Sequence, residues 1–152
     1  MESMADRKPS EISGGQQQKV AIASVLVLEP DILILDEPTG FLDPSGTEAV
    51  FSLVKELNKE GKTIIVVSHK LEYLVDYADR LILFNDGEVV KDDSPVNVLK
   101  DVSLLREHDL IPLPVTQLGA RLRRKRKKKW KWVGELPVTI EEAVKGLRGL
   151  TE

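Results

Sequence analysis

Two short apolar runs, each followed by polar residues, constrain the fold of this chain more than any other feature. The run "ILIL" at 32–35 leads into two adjacent carboxylates, Asp36 and Glu37, and "TIIVV" at 63–67 leads into Ser68 and His69. Such runs are typical of buried strands in a parallel sheet. Between them, apolar residues at helical spacing over 50–57 predict an amphipathic helix. The sequence therefore predicts an α/β fold containing a right-handed strand–helix–strand unit.

Asp36, Glu37 and His69 are predicted to lie at one edge of that sheet, because each follows the carboxyl end of a parallel strand. Ligands bind at this edge in open α/β sheets. A carboxylate at the end of a buried strand also needs a compensating partner. We interpret these three residues as candidates for phosphate or metal chemistry. The simpler alternative is that Asp36 caps the turn and Glu37 is solvated. His108 has no comparable context and is predicted to lie on the surface.

The segment "SGGQ" at 13–16 is a second candidate site. Ser13 and Gln16 have the spacing of a capping box, which predicts a helix from Gly14 to Leu28. That helix is apolar nearly all round after Lys19, so it is predicted to be buried. Two glycines weaken its first turn by roughly 0.5–1 kcal/mol each, which suggests a close approach to the backbone. A helix N-terminus with a serine hydroxyl can bind an anion, although a plain helix cap explains the same residues.

The rest of the chain shows weaker patterns. Apolar runs on either side of Asp86-Gly87 predict a hairpin, and Ser94-Pro95 predicts the start of a short helix. After about Asp109 the regular pattern fades. It returns in a C-terminal helix with a second capping box at Thr139 and Glu142. The residues predicted to line one face of that helix are Ile140, Ala143, Val144 and Leu147.

Composition and charge exclude several classes of protein. The chain has no cysteine, so disulfides and thiolate metal sites are excluded, and its longest apolar run, at 20–28, is far shorter than the roughly 20 residues that span a bilayer. The N-terminal ten residues lack the apolar region of a signal peptide. Residues 1–120 contain 21 acidic and 11 basic residues, whereas 121–131 contain nine of the 22 basic residues and no acid.

The basic run at 121–132 has three possible interpretations. It can be a solvated linker that its own charges keep extended, which is the reading we favour. It can also contact anionic lipid. The third reading is nucleic-acid binding, with Trp130 and Trp132 stacking on bases.

Together these motifs resemble the ATP-binding subunits of ABC (ATP-binding cassette) transporters over about 6–99. "ISGGQ" at 12–16 resembles the signature motif, with Ile for the usual Leu, and "ILILDE" resembles the Walker B strand with its catalytic glutamate. "FLDP" at 41–44 resembles the D-loop, and His69 resembles the switch histidine. The stretch from Gly14 to Gly46 is similar to energy-coupling-factor and cobalt-type importers, as is the terminal "ELPVTIEEAV".

The resemblance implies a role for each candidate residue. Asp36 would hold Mg²⁺, Glu37 would be the general base, and His69 would hydrogen-bond the γ-phosphate of ATP. The signature residues of one subunit would close over ATP bound to a second ABC ATPase subunit, and Asp43 would report across that interface. Those signature residues are Ser13, Gly14, Gly15 and Gln16. The resemblance also implies a transmembrane transporter subunit as partner, and a cytoplasmic location on the inner face of the membrane.

A phosphate-binding loop, G-x-x-x-x-G-K-[ST], is absent. The one Gly-Lys-Thr, at 61–63, precedes a strand and is interpreted as a helix end. We therefore predict the C-terminal part of a P-loop NTPase, with a mainly parallel sheet flanked by helices, that is inactive alone and exposes apolar sheet edges. The predicted organisation is a partial ATPase domain at 1–100, a connecting segment at 101–120, a basic linker at 121–132 and a C-terminal helical segment at 133–152.

Two rival functions stay open from the sequence. One is a soluble ABC ATPase acting in DNA repair or translation, because the same motifs occur there. The other is a non-catalytic fragment that binds an intact ABC ATPase.

Overall fold

The computed structural model describes residues 8–124, 132 and 134–148 and divides after His69 into two compact units. The elements of the first unit are α1 (Gly14–Leu26), β1 (Ile32–Asp36), α2 (Pro44–Lys59) and β2 (Thr63–Val67). Those of the second are α3 (Leu71–Tyr77), β3 (Leu81–Asn85), β4 (Glu88–Asp93), α4 (Pro95–Lys100), α5 (Val102–Glu107), α6 (Pro114–Arg124) and α7 (Ile140–Arg148).

The first unit contains the predicted strand–helix–strand arrangement. Strands β1 and β2 pair in parallel, with Ile32 opposite Thr63 and Asp36 opposite Val67. One face of this sheet packs against α1 and α2, and the core consists of Ile22, Leu33, Leu35, Val50 and Val54. The α/β class and the parallel pairing predicted from the sequence are confirmed.

The prediction of buried strands is correct for one face of the sheet and wrong for the other. Alternate side chains of a strand point to opposite faces of its sheet, and only the face of Leu33 and Leu35 is covered. On the other face Ile34 is 65% exposed and its cross-strand neighbour Ile65 is 49% exposed. A continuous apolar run cannot distinguish one covered face from two. We call the side chains of Ile32, Ile34, Ile65 and Val67 the bare sheet face.

The prediction of a buried α1 is also wrong. The helix ends at Leu26, two residues earlier than predicted, and Ile22 is its one fully buried residue. Val20 and Val25 are nearly half exposed, because the helix contributes a single side to the core of its unit.

In the second unit the predicted hairpin is confirmed. Strands β3 and β4 pair antiparallel, with Asn85 opposite Glu88 across the two-residue turn Asp86-Gly87. Both turn residues have positive φ, 49° and 81°, as a type I′ turn requires. The predicted helix start at Ser94 is also confirmed, because its hydroxyl oxygen accepts the Asn97 N–H at 3.3 Å.

We expect Gly87→Ala to lower the free energy of unfolding by about 1 kcal/mol, because a Cβ is disfavoured at this φ. No atom lies within 4 Å of the position that a Cβ would occupy, so conformational strain is the sole expected cost. Urea unfolding measures the loss. The matched control is Gly40→Ala, where φ is not in the left-handed region and the nearest atom is 3.6 Å away. Equal losses at both positions would contradict the explanation.

The irregular region predicted after Asp109 contains α6. The helical spacing of apolar residues is not visible in the sequence of α6, because two of its buried positions are Thr116 and Gly119. The Thr116 hydroxyl donates to the Pro137 carbonyl at 2.6 Å, and a Cβ at Gly119 would lie 2.7 Å from the Pro137 ring. The helix also enters the basic run as far as Arg124. Residues 125–131 lie outside the described part of the chain.

The C-terminal helix α7 is present, with a modified cap. The Thr139 hydroxyl accepts the Glu142 N–H at 3.1 Å, but the Glu142 carboxylate accepts the Val138 N–H at 2.8 Å instead of that of Thr139. The predicted apolar face is correct in part: Ala143 is buried, whereas Ile140 is 68% exposed.

Trp132 is buried, so the reading that its ring stacks on nucleic-acid bases is wrong. Its indole N–H donates to the Glu135 carbonyl at 2.8 Å. The ring lies against α7 at Gly146, where a Cβ would overlap it. Trp132 therefore has a structural role in the second unit. Trp130 lies outside the described residues.

No helix in the described part of the chain is long and apolar enough to cross a membrane.

Candidate active site

Glu37 is the first residue after β1, and hydrogen bonds of its main chain fix its position. Its N–H donates to the Val67 carbonyl at 2.9 Å, which extends the pairing of the two strands by one bond. Its φ of 44° lies in the left-handed region, which is uncommon for a residue with a side chain. The Glu37 carbonyl then accepts the Gly40 N–H at 3.1 Å, closing a turn. The backbone therefore changes direction at the residue that carries the carboxylate.

The structure brings Glu37 and His69 together. The Glu37 Oε1 atom is 3.1 Å from the His69 backbone nitrogen and 2.8 Å from the ring Nδ1. The His69 side chain is 71% exposed. The second carboxylate oxygen, Oε2, is buried without a hydrogen-bond partner among the described residues. Buried polar atoms are normally satisfied, so an unpartnered Oε2 is a position where a bound water or ligand is expected. The Glu37 side chain is thus 39% exposed and also contacts His69.

Asp36 is exposed at the end of β1, on the same face of the sheet as Ile34. No cluster of three or more potential metal-ligating side chains occurs in the described part of the chain. Mg²⁺ commonly takes only one or two carboxylates and completes its coordination with phosphate oxygens and water. A single exposed carboxylate at the end of a strand therefore fits Mg²⁺ bound together with a nucleotide.

The capping box at 13–16 is confirmed. The Ser13 hydroxyl oxygen accepts the Gln16 N–H at 3.3 Å, and Gln16 Oε1 accepts the Ser13 N–H at 2.9 Å. The hydroxyl hydrogen of Ser13 remains able to donate to a ligand. A Cβ at Gly15 would lie 3.1 Å from the Leu42 side chain, so this glycine is explained by packing within the unit.

Asp43 caps α2. Its Oδ1 accepts the Gly46 N–H at 2.7 Å, and a Cβ at Gly46 would lie 2.8 Å from the same oxygen. Sequence reasoning missed this cap, although Asp-Pro-x-Gly carries the signal of an N-cap followed by proline. It also missed Phe41, which is 80% exposed beside Gly14. The segment 41–43 therefore links the start of α1 to the start of α2.

Gly61-Lys62-Thr63 is confirmed as a helix end. Gly61 has a φ of 94°, and the Lys62 ammonium donates to the Pro30 carbonyl at 3.0 Å. A cavity of about 510 Å³ opens here, at the amino ends of the strands and away from Glu37. The lysine is directed to a backbone carbonyl of its own unit instead of a loop of amides that could hold phosphate.

Comparison with known proteins identifies one class of similar proteins. The family model described as ABC transporter matches residues 1–40. An energy-coupling factor transporter ATP-binding protein of Caldanaerobacter subterraneus is 46% identical over 92% of this chain and 49% of its own length. One of Streptococcus agalactiae is 37% identical over 97% of this chain and 51% of its own length. The chain spans about half the length of these curated relatives.

Solved structures give the same result. A bacterial ABC transporter cassette solved as a dimer aligns with a TM-score of 0.59 and 43% identity, covering 62% of this chain and 41% of that one. The protein cbiO1 of Clostridium perfringens, described as part of the ABC transporter complex cbiONQ, aligns with a TM-score of 0.58 and 36% identity, covering 78% and 47%.

The chain therefore belongs to the ABC family of P-loop NTPases. The family model covers residues 13–16, Asp36 and Glu37, whereas Asp43 and His69 lie beyond the matched residues. Within the family it is similar to the ATP-binding proteins of energy-coupling factor transporters.

Proposed function

We propose that the chain supplies the signature and Walker B half of an ATP-hydrolysing subunit in an energy-coupling-factor-like importer. The observation that carries this proposal is the Glu37–His69 pair, in which one carboxylate oxygen accepts the His69 backbone N–H and lies 2.8 Å from the ring Nδ1, while the other is buried without a partner among the described residues. A carboxylate that is held in place and has one unpartnered oxygen suits a general base that takes a proton from water.

In this proposal Glu37 accepts the proton of the attacking water at Oε2, and His69 contacts the γ-phosphate of ATP. Asp36 holds Mg²⁺ through water. When bound, Mg²⁺ would neutralise negative charge on the phosphate oxygens. The exposed position of Asp36 at the strand end supports its assignment.

Ser13, Gly14, Gly15 and Gln16 would contact nucleotide held by a second subunit. The 13-residue helix that they begin directs its positive end and the Ser13 hydroxyl at any such ligand. Asp43 would act across the same interface by fixing the start of α2, because its carboxylate is already occupied by the Gly46 N–H. The Phe41–Leu42 contact with the glycines would couple the two segments.

Tight ATP binding would need a phosphate-binding loop from another polypeptide segment. Without the amides and lysine of that loop, most of the electrostatic attraction for the β- and γ-phosphates is missing. We therefore expect the chain alone to neither bind ATP tightly nor hydrolyse it.

The test compares the pure chain with the same chain co-expressed with a polypeptide that carries the loop-bearing remainder of an ABC cassette. We expect Mg²⁺-dependent phosphate release from the pair and none above background from the chain. Hydrolysis by the pure chain that Glu37→Gln abolishes would contradict the need for a second segment. A stable but inactive pair would contradict the assignment as a working ATPase half.

A second candidate function is a non-catalytic fragment that binds an intact ABC ATPase. The bare sheet face favours it, since exposed apolar patches commonly mark interaction surfaces. Adding the chain to a full-length ATPase distinguishes the two candidate functions. Inhibition or stimulation of that ATPase, without any loop-bearing half present, supports the non-catalytic fragment. A soluble ABC ATPase of DNA repair or translation stays a third alternative.

The proposed setting is the inner face of the cell membrane, on a transmembrane transporter subunit. The basic run that begins in α6 would add attraction to anionic lipid. Vesicle co-sedimentation that is weakened by salt would support lipid contact, whereas salt-sensitive binding to an oligonucleotide alone would support nucleic acid.

A further inference from the structure

The backbone leaves the direction of β1 at Glu37, and this change decides where the carboxylate lies. Side chains of a strand alternate between the two faces of its sheet. Leu33 and Leu35 are buried on the covered face, whereas Asp36 is exposed on the other face. A further extended residue at position 37 would therefore direct its side chain towards the core that α1 and α2 cover. A carboxylate among those apolar side chains would lose its hydration at a large cost in free energy.

Glu37 avoids the core because its backbone is left-handed, with a φ of 44°. Its side chain is 39% exposed, and the residue that follows, Pro38, is fully buried. Two main-chain hydrogen bonds hold this conformation. The Glu37 N–H donates to the Val67 carbonyl at 2.9 Å, and the Glu37 carbonyl accepts the Gly40 N–H at 3.1 Å. The conformation is unfavourable twice, because a Cβ disfavours it and because residues before a proline prefer extended backbone.

We propose that the left-handed backbone of Glu37 is a strained positioning element of the site, which keeps the carboxylate out of the core and lowers the stability of the chain. The inference rests on the proposed function in one respect, the role of this carboxylate as a base. Glycine adopts such a backbone freely, so the turn alone favours glycine at position 37. The chemistry of the side chain explains the glutamate, and strained residues of this kind cluster at functional sites.

The chain contains a matched position outside the site. Glu29 has a φ of 48°, precedes a proline as Glu37 does, and lies three residues after the end of α1. Its N–H donates to the Leu26 carbonyl at 3.0 Å. Left-handed residues are ordinary at helix ends, and Glu29 lies exposed at the amino end of β1, away from the proposed base. The two Glu-Pro pairs therefore share a backbone conformation, and only one of them belongs to the site.

The first measurement is the one-bond Cα–Hα coupling of the full chain by NMR, which is smaller at positive φ than at negative φ. We expect the coupling of Glu37 to match those of Glu29 and Asp86, which also have positive φ. Asp36, inside β1, is the reference for extended backbone. A Glu37 coupling equal to that of Asp36 would overturn the proposal without any variant having to fold.

The second measurement is urea unfolding of Glu37→Gly and Glu37→Ala. Both variants lack the carboxylate, so the loss of the side-chain contacts cancels and the backbone preference remains. We expect the unfolding equilibrium constant to be about fivefold smaller for the glycine variant. At Asp36, where the backbone is extended, the order should reverse, because glycine loses more conformational freedom than alanine on folding. The same order at both positions would refute the strain.

The third measurement links the strain to the site, using phosphate release by the chain co-expressed with the loop-bearing polypeptide. Glu29→Gly should keep the rate within a factor of two, because this residue lies away from the site. Glu37→Gly should abolish it, although glycine fits the backbone better. Activity retained in Glu37→Gly would contradict the functional reason for the strain. An inactive unaltered pair would refute the ATPase function, whereas the strain would still be decided by the coupling and by urea unfolding, neither of which requires ATP.

Discussion

Replacing Glu37 by glutamine should reduce the rate of ATP hydrolysis by the reconstituted pair about 10²–10⁴-fold, the usual contribution of a general base. The amide has the same shape but cannot accept a proton from water. Its carbonyl oxygen can still accept the His69 backbone N–H, so the turn after β1 should keep its conformation. Phosphate release under saturating ATP and Mg²⁺ measures the rate.

Glu48→Gln is the matched control, because Glu48 is an exposed glutamate of α2 in the same unit. It makes the identical chemical change, and we expect activity within a factor of two of the unaltered pair, since exposed substitutions rarely change stability by more than about 0.5 kcal/mol. Equal losses at both positions would show that the effect of Glu37→Gln is not specific to the site. No loss at either would assign the base to another residue.

Replacing Leu33 by alanine should lower the free energy of unfolding by about 2–5 kcal/mol, the range found when a buried leucine is truncated. Leu33 is 2% exposed and belongs to the core that β1 forms with α1 and α2. The neighbouring Ile34 points to the other face of the sheet, where Ile34→Ala should cost less than about 0.5 kcal/mol. Urea unfolding of the two variants measures the difference.

Ile34 is therefore the control for Leu33, because the two are adjacent in one strand and differ in the sheet face they occupy. A comparable loss for Ile34→Ala in the isolated chain would mean that something covers the bare sheet face in solution. Repeating both measurements after co-expression with a loop-bearing polypeptide tests whether that polypeptide packs on the bare sheet face. In that complex Ile34→Ala should also lower the free energy of unfolding, and Leu33→Ala should still lower it.

Local patterns predicted much of the fold correctly. The strand–helix–strand unit and the Asp86-Gly87 hairpin depend on apolar spacing and turn residues that are visible in the sequence. The wrong predictions concern which side chains of an element are buried. Whether a strand is buried on both faces depends on residues distant in sequence. In α6 the buried positions Thr116 and Gly119 are not large apolar residues, so the pattern search did not find the helix.

In the candidate site, too, features set by local pattern were predicted and features set by distant packing were missed. Glu37 and His69 could be placed together because parallel strands end at one edge of a sheet, and the structure brings them into contact. The contact of Gly15 with Leu42 joins segments separated in the chain, so this packing reason for the glycine was not visible in the sequence. The roles of Asp36, Asp43 and the signature residues in nucleotide chemistry stay predictions.

The bare sheet face also bears on how long this chain would persist in a cell. Exposed isoleucine and valine side chains beside unpaired strand edges are the features that lead to aggregation and that chaperones and proteases act on. A chain with this surface uncovered should be cleared faster than the same chain with the surface occupied. Its abundance would then follow that of whatever covers the face.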